Sequence, residues 1–471
     1  MTARRLGGSA ALLALVVGGC KLGPNYERPE TPAPQAFYDS TARADTVKRD
    51  TTFADLPWWR VFQDSTLQTL IRTALANNPD LGIAIERVTE AEARLRITRA
   101  ELYPWLNVGG SAATGQFGDL TETAIGAGLG VSWYLDLFGR VRRGTERDRA
   151  LLMATDEGRR GAVLALVSTV ATAYIDLRTA DLQLEVARRT ADSRREYVGI
   201  AKQRFDGGVT GEIDYRQAQA QYEDARTTVI NLQETVARTE NALSVLLGRA
   251  PGAVPRGRTL ETQPLPPSVP AGLPSQLLDR RPDVRQAELT LAAATADIGV
   301  AKALLFPNIS LTGVLGFASR ELSGVFSGEG EAFNVGASII QPLFQGGRLR
   351  ANVRVSESVM RQNVLAYRGT VLRALEETEN ALTAVRLSGD RTTSLDSQVV
   401  YNTITLRQAE TRYQGGVTQY LEVLDAQRSL LTSQLLAADA RRQRLLAYVN
   451  LYRALGGGWQ QDTTAAPAPQ R

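Results

Sequence analysis

Leu102-Tyr103-Pro104-Trp105-Leu106-Asn107-Val108 recurs as Leu305-Phe306-Pro307-Asn308-Ile309-Ser310-Leu311, at a constant offset of 203 that also aligns Pro79-Asp80 with Pro282-Asp283. Further on, Arg204-Phe205-Asp206-Gly207-Gly208-Val209-Thr210 matches Arg412-Tyr413-Gln414-Gly415-Gly416-Val417-Thr418 at an offset of 208. The small drift between the offsets falls where hairpin loops are expected. A unit of about 200 residues is far longer than the 20–50 residues of a solenoid repeat. The chain therefore reads as one half-fold written twice, with the Pro-rich stretch Pro251–Pro274 between the copies.

Within each copy the hydrophobic period switches twice. Residues 66–102 read as a single helix, made of strong helix formers with no Pro after Pro79. Beyond Leu106 the pattern alternates. Ile125, Ala127, Leu129, Val131, Trp133 and Leu135 fall on one face, and Gly126, Gly128, Gly130, Ser132, Tyr134 and Asp136 on the other. The second copy repeats this with Ile309, Leu311, Gly313, Leu315 and Phe317, then Phe333, Val335, Ala337 and Ile339. The reading is four strands in two hairpins, over 105–136 and 307–343, each about ten residues long, the length and dyad pattern of membrane-spanning strands. An open strand edge has no partners in lipid, so closure must come from other copies of the chain. A soluble sandwich of two hairpins would share the alternation, but the Gly- and Ser-rich second face suits a crowded or wet barrel interior better.

A long helical stretch follows each hairpin. Residues 140–205 contain no Pro, and 348–413 match them; at ~1.5 Å per residue each could reach about 100 Å. Val163, Val167, Val170, Tyr174 and Leu177, and at the same spacing Val371, Leu375, Thr378, Leu382 and Val385, form a seam that asks for neighbouring helices. Paired glycines at Gly207-Gly208 and Gly415-Gly416 supply the freedom for a helix-reversing turn. Return helices then run to about Gly248 and Gly456.

The composition excludes much chemistry. There is no His, one Cys and three Met, which removes imidazole bases, His- or Cys-ligated metal sites and internal disulfides. No catalytic constellation, cofactor site or metal site is expected. The formal charge of +4 is too balanced for a nucleic-acid footprint. Residues 1–19 have a basic start at Arg4 and Arg5, an apolar run from Ala10 to Val17 and small residues before Cys20, the layout of a secretory signal. No later apolar run is read as approaching the roughly 18 residues of a membrane helix, so membrane entry would be by strands.

Val17-Gly18-Gly19-Cys20 resembles a bacterial lipobox, which would make Cys20 the lipidated first residue of the mature chain; Lys21, where Asp would favour inner-membrane retention, points to the outer membrane. Further motifs follow in order. They are Leu22-Gly23-Pro24-Asn25-Tyr26 with Arg28-Pro29, Trp58-Trp59-Arg60-Val61-Phe62-Gln63-Asp64 with Leu67, Asn78-Pro79-Asp80-Leu81, Asp279-Arg280-Arg281-Pro282-Asp283-Val284, and Gln341-Pro342-Leu343-Phe344 before Gly346-Gly347-Arg348. With the tandem Gly-Gly-Val-Thr turns, the set resembles the TolC-type outer-membrane efflux proteins, most closely the NodT/OprM-like lipoprotein branch serving resistance–nodulation–division pumps. The resemblance covers nearly the whole chain from Cys20 to Gly456.

It implies a mainly α fold with a transmembrane β-barrel: a homotrimer whose duplicated units form a twelve-stranded barrel and an α-helical periplasmic tunnel. The implied partners are outer-membrane lipid, a periplasmic adaptor and an inner-membrane pump. By position, the adaptor-docking turns are Arg204, Gly207, Gly208, Val209 and Thr210, and Arg412, Gly415, Gly416, Val417 and Thr418. Family members close the tip through a Tyr linked to an Asp and a basic residue. Tyr413 and Asp214 match the first two, while Thr418 holds the basic position, a departure for which Arg216 or Arg412 is the candidate replacement. Glu422 and Asp425 match the acidic pair that rings the constriction; three residues apart, they share a helix face.

The organisation read from sequence is a signal peptide (1–19), a lipidated extended segment (20–65), repeat 1 (66–248, with its helical hairpin at 140–248), a Pro-rich linker (249–280), repeat 2 (281–456, with its helical hairpin at 348–456) and a tail (457–471). The function expected is passive conduction of drugs or other small molecules. A duct for type I protein secretion is the rival within transport, and a periplasmic coiled-coil adaptor or scaffold lipoprotein the rival outside it.

Overall fold

The computed structural model describes residues 21–30, 34, 37–38, 56–117, 120–266, 279–324 and 330–457. The signal segment, Cys20, most of residues 31–55, much of the Pro-rich linker and all of the C-terminal tail beyond residue 457 lie outside them. In chain order the helices are α1 (Trp58–Val61), α2 (Ser65–Asn77), α3 (Pro79–Ala100), α4 (Arg140–Asp206), α5 (Glu212–Leu246), α6 (Pro282–Ala303), α7 (Arg348–Gln414) and α8 (Tyr420–Ala454). The strands are β1 (Trp105–Phe117), β2 (Leu120–Leu135), β3 (Asn308–Ser319) and β4 (Glu331–Ile340). The chain divides into two compact units. One holds Ile85–Gly158 and Arg285–Thr370 with the described N-terminal residues to 30; the other holds Arg159–Val284 and Val371 onward with the described residues from 34 to 84.

The first unit carries one antiparallel sheet in the order β1-β2-β3-β4. Its register places Val108 opposite Leu129, Leu129 opposite Leu315 and Leu315 opposite Phe333, with Leu106–Val131–Gly313–Val335 in the next row of the same face. These apolar rows are exposed, Val108 at 84%, Phe333 at 82% and Val335 at 83%. Covering a side chain of this kind stabilises a water-soluble fold by roughly 1.5–3 kcal/mol, so a soluble sheet would bury them and a lipid-facing sheet has no need to. The opposite face offers Asn107, Gly130, Val314 and Asn334, then Ser132, Thr312 and Gly336. Gly128 and Gly316 oppose one another where the two hairpins pair. A Cβ at Gly316 would stand 2.3 Å from the Ala127 carbonyl oxygen, so a side chain there would push β2 and β3 apart.

In the second unit the seam is as its spacing requires: Val167, Val170, Tyr174, Leu177, Val371 and Thr378 are buried. One stretch of α4 is apolar enough to pass for a membrane helix by composition, against the expectation that none would. Its side chains Val170, Ala171 and Tyr174 are 0% exposed in a helical core, which accounts for part of the apolarity without a membrane. The single helix expected over 66–102 is two. Asn78 adopts an extended backbone (φ −67°, ψ 124°) between α2 and α3 because the residue before Pro79 is pushed out of the helical region. Its side-chain oxygen accepts from Leu81 N at 3.0 Å, starting α3.

The duplication survives in three dimensions as one repeated contact. Asn78 Nδ2 donates to Leu246 O at 3.0 Å, and its counterpart Arg281 Nη1 donates to Ala454 O at 3.1 Å, each satisfying the last turn of a return helix. Asp64, 2% exposed, caps α2 through Thr66 N and Leu67 N. It also accepts from Tyr174 Oη at 3.0 Å, Arg258 N at 3.2 Å and Gln263 Nε2 at 2.7 Å, tying the inter-repeat segment to α2 and α4.

Candidate functional site: the helix-reversing turns

Both turns are built alike. Val209 N donates to Arg204 O at 2.8 Å and Val417 N to Arg412 O at 2.9 Å, closing the last turn of α4 and of α7. Gly208 (φ +68°) and Gly416 (φ +73°) are left-handed, the glycine that ends a helix by this motif. Only the second glycine of each pair uses its conformational freedom; Gly207 and Gly415 have ordinary φ, and a Cβ there would meet the Gln203 and Thr411 carbonyl oxygens at 3.2 and 3.4 Å. Val209 and Val417 project outward, 65% and 72% exposed.

Behind the turns lies an aromatic cluster. Tyr197, Tyr413 and Tyr420 are buried with Ala201, Ala218, Ala409, Val423 and Leu424. The Tyr413 and Tyr420 rings are 5.5 Å apart and the Tyr197 and Tyr420 rings 6.2 Å apart. Arg204, at the end of α4, holds this cluster from the first hairpin. Its guanidinium carbon sits 4.7 Å from the Tyr413 ring centroid, and Nη1 donates to Tyr413 O at 3.1 Å. A cation there also meets the negative end of the α7 dipole.

Asp214 and Tyr413 are brought into the same neighbourhood, but not into a hydrogen bond. The Tyr413 hydroxyl is buried with no partner among the described residues, as is the Tyr420 hydroxyl. Burial pushes the Tyr413 hydroxyl above its ordinary pKa, with Arg204 pulling it down and Asp214 pushing it up. Tyr420 is pushed up to about 12 by burial, Tyr413 and Asp214, against Arg194. Thr418, at the position where a basic residue was expected, donates through Oγ1 to Glu422. Of the candidate replacements, Arg412 reaches Glu422 (Nε to Oε1, 3.4 Å). Arg216 is instead bound along its own helix to Glu212 at 2.9 Å and Gln219 at 3.1 Å. Glu422 and Asp425 are exposed, flanking the buried Val423 and Leu424, so the acidic pair faces away from the cluster.

Sequence reasoning missed Tyr197, Tyr420 and the buried Arg194, which donates to Gln221 O at 2.8 Å and Asp224 at 3.0 Å to tie α4 to α5. The signal was present. At offset 208 Tyr197 is matched by Thr405, Tyr420 by Glu212 and Arg194 by Asn402, so each of these three residues meets a different chemistry at the equivalent position of the other copy.

An open-edged sheet with exposed apolar rows, joined to duplicated helical hairpins, defines an outer-membrane efflux channel. The family described as outer membrane efflux protein matches residues 70–249 and 273–457, and the chain belongs to it. The cation efflux system protein CusC of Escherichia coli O6:H1 is 37% identical over 453 residues, 95% of this chain and 98% of its own length. The antibiotic efflux pump outer membrane protein ArpC of Pseudomonas putida is 36% identical over 470 residues, 97% of this chain and 96% of its own. The crystal structure of the open state of the Neisseria gonorrhoeae MtrE outer membrane channel superimposes with a TM-score of 0.84 at 33% identity, covering 94% of this chain and 100% of that one.

Proposed function

We propose that the protein is the outer-membrane duct of a tripartite efflux pump: a homotrimer, anchored by lipid at Cys20, that passively conducts small molecules handed to it by a periplasmic adaptor and an inner-membrane pump of the resistance–nodulation–division type. The observation that carries this reading is the sheet. Each chain supplies four paired strands and two unpaired edges, β1 and β4, among the described residues, and lipid tolerates no open edge. Three copies would close twelve strands.

The turns at Arg204, Gly207, Gly208, Val209 and Thr210 and at Arg412, Gly415, Gly416, Val417 and Thr418 dock the adaptor, supported by their matching backbone and paired exposed valines. Asp214, Tyr413, Glu422 and Asp425 form the periplasmic gate, with Arg204 as the basic residue that grips Tyr413. Cargo choice lies in the pump, which fits relatives named for cations and for antibiotics. In a Gram-negative host lacking its own channel, the chain with a matching pump and adaptor should lower ethidium accumulation and migrate on gels as a heat-modifiable oligomer. Recovery as a soluble monomer would refute the reading.

A further inference from the structure

The motif Leu22-Gly23-Pro24-Asn25-Tyr26 with Arg28 belongs to neither the turns nor the proposed gate, yet it is held more tightly than an extended tether requires. Arg143 on α4 is 1% exposed, and the acceptors it finds are largely this segment. Nε donates to Leu22 O at 2.8 Å, and Nη2 donates to Gly23 O at 2.9 Å and to Asn25 Oδ1 at 3.1 Å. Nη1 donates to Glu146 at 3.0 Å, and Glu146 in turn pairs with Lys21. Although burial raises the Glu146 pKa, the bond and charge of Lys21 and the charge of Arg143 bring it below the ordinary value. Further along the segment, Tyr26 Oη and Arg28 Nη2 donate to the two oxygens of Glu288 on α6, at 3.2 and 2.9 Å.

The backbones fit as closely as the side chains. Gly23 is left-handed at φ +90°, and a Cβ on it would lie 2.6 Å from the Gly299 Cα. A Cβ on Gly299 would in turn lie 2.6 Å from Leu22 O and 2.7 Å from Arg143 Cγ. Two glycines 276 positions apart in sequence are thus each required by the other. A guanidinium carries donors in a fixed fork, and here the fork reads two successive carbonyls and the Asn25 amide oxygen, which is recognition of a chain conformation rather than of bulk charge.

We infer that residues 22–28 are a built-in docking peptide for the groove between α4 and α6, with Arg143 as its principal receptor residue, and that this fixes where the acyl chains of Cys20 enter the membrane. The inference rests on the proposed lipidation for its second half only. Cys20 precedes Leu22 by two residues, at most ~7 Å of chain. The groove lies beside the strands: Arg143 is eight residues past the end of β2 and Gly299 nine residues before the start of β3. The acyl chains are therefore delivered at the foot of the sheet, where Trp105 and Tyr134 are exposed and Phe138 stacks on Phe306, aromatic side chains of the kind that favour the lipid–water interface.

The test uses full-length detergent-solubilised protein carrying Lys21→Cys and Glu146→Cys, with mild copper-phenanthroline oxidation and mass spectrometry of the intrachain disulfide. Rapid closure is expected with Arg143 present, and closure at least tenfold slower with Arg143→Gln or Gly299→Val added. Equal rates would overturn the inference. If either receptor variant fails to yield the oligomer, Asn25→Ala and Gly23→Ala alter the peptide side alone and should slow closure in the same sense; unchanged rates there would overturn it too. Adding Cys20→Ser should leave the rate unchanged, because the groove and not the lipid holds the segment; loss of cross-linking would overturn the docking. Palmitate labelling, read separately, distinguishes failure of the lipidation reading from failure of the docking.

Discussion

On the proposed gate, Arg204→Ala should release the turn-bearing end of the channel, and the size of the effect follows from two contacts of one guanidinium. A cation over an aromatic face contributes about 0.5–2 kcal/mol, and a hydrogen bond from a charged donor about 1.5–3 kcal/mol. Both belong to the same group and are not additive, and Arg204 is half-buried, so salt screens part of the interaction; a net ~2 kcal/mol in favour of the gripped state remains. That corresponds to a roughly 30-fold change in the ratio of closed to open channels. Open probability in planar bilayers at low salt is the direct measurement, and sensitivity of cells to a large antibiotic normally excluded by the outer membrane is the indirect one. Tyr413→Phe is the control, because it keeps the ring and the carbonyl that Arg204 holds and removes only a buried hydroxyl without a partner among the described residues; it should leave the open probability unchanged or slightly reduced. If Tyr413→Phe opened the channel while Arg204→Ala did not, the hydroxyl would be the lock and the reasoning from Arg204 would fail.

Cys20→Ser should abolish incorporation of radioactive palmitate, and persistent labelling would show lipid on another residue. Gly316→Val should strongly reduce the heat-modifiable oligomer seen on gels, because its Cβ would stand 2.3 Å from the Ala127 carbonyl oxygen and the hairpins must part to admit it. Glu422→Gln with Asp425→Asn should relieve block of conductance by divalent cations without lowering the single-channel conductance to half, since rings of carboxylates favour cations; an undiminished block would place the ring elsewhere. Asp64→Asn should shorten the half-life at elevated temperature by an amount equivalent to about 2–3 kcal/mol, the scale of leaving buried donors without a charged acceptor. Burial raises the Asp64 pKa, but hydrogen bonds from Gln263, Tyr174, Leu67 and Thr66 lower it further, to a net value below the ordinary one. Its contribution is therefore complete above the unfolded value of about 3.9 and is lost as the pH falls through the folded value. The wild type should lose its advantage over the variant in that acidic window, and an advantage persisting to the lowest pH would refute the assignment.

The elements were legible to within a few residues wherever the signal was periodic. The strand alternation from Ile125 to Leu135 and from Ile309 to Phe317 needs only a period of two to be seen, and the uninterrupted stretch after Arg140 contains no helix breaker. The break at Asn78 was missed because α2 and α3 are both strong helices and the proline effect acts on the residue before it. The turns were found as glycine pairs, yet which glycine is left-handed is a matter of hydrogen-bond closure that the sequence alone does not show. At the site, Tyr413 and Asp214 were named from a motif, whereas Arg204 over Tyr413 joins residues 209 positions apart. Arg143 and Leu22 join across 121. No local pattern encodes such contacts; they exist only once the helices have packed.

The duplication makes the turns closely alike in backbone, so the main difference between them lies in side chains, and the two equivalent arginines show how much difference that is. Arg204 faces the second copy and grips Tyr413, whereas Arg412 folds back within its own copy to Glu422. The cause lies in what each copy offers. Glu422 is one methylene longer than its counterpart Asp214, and on its side Thr418 donates to it, while the hydroxyl of the matching Thr210 is buried without a partner among the described residues. Arg412 is thus satisfied locally and Arg204 is not, which leaves Arg204 available to the ring and carbonyl at the end of α7. A symmetric pair of hairpins would bind itself equally in both directions. This one is gripped at Tyr413 from one side, so release of the Arg204 contact loosens the second turn, while Arg442 on α8 keeps its pair with Asp176 on α4 and the first hairpin keeps its own tie between Arg194 and Asp224.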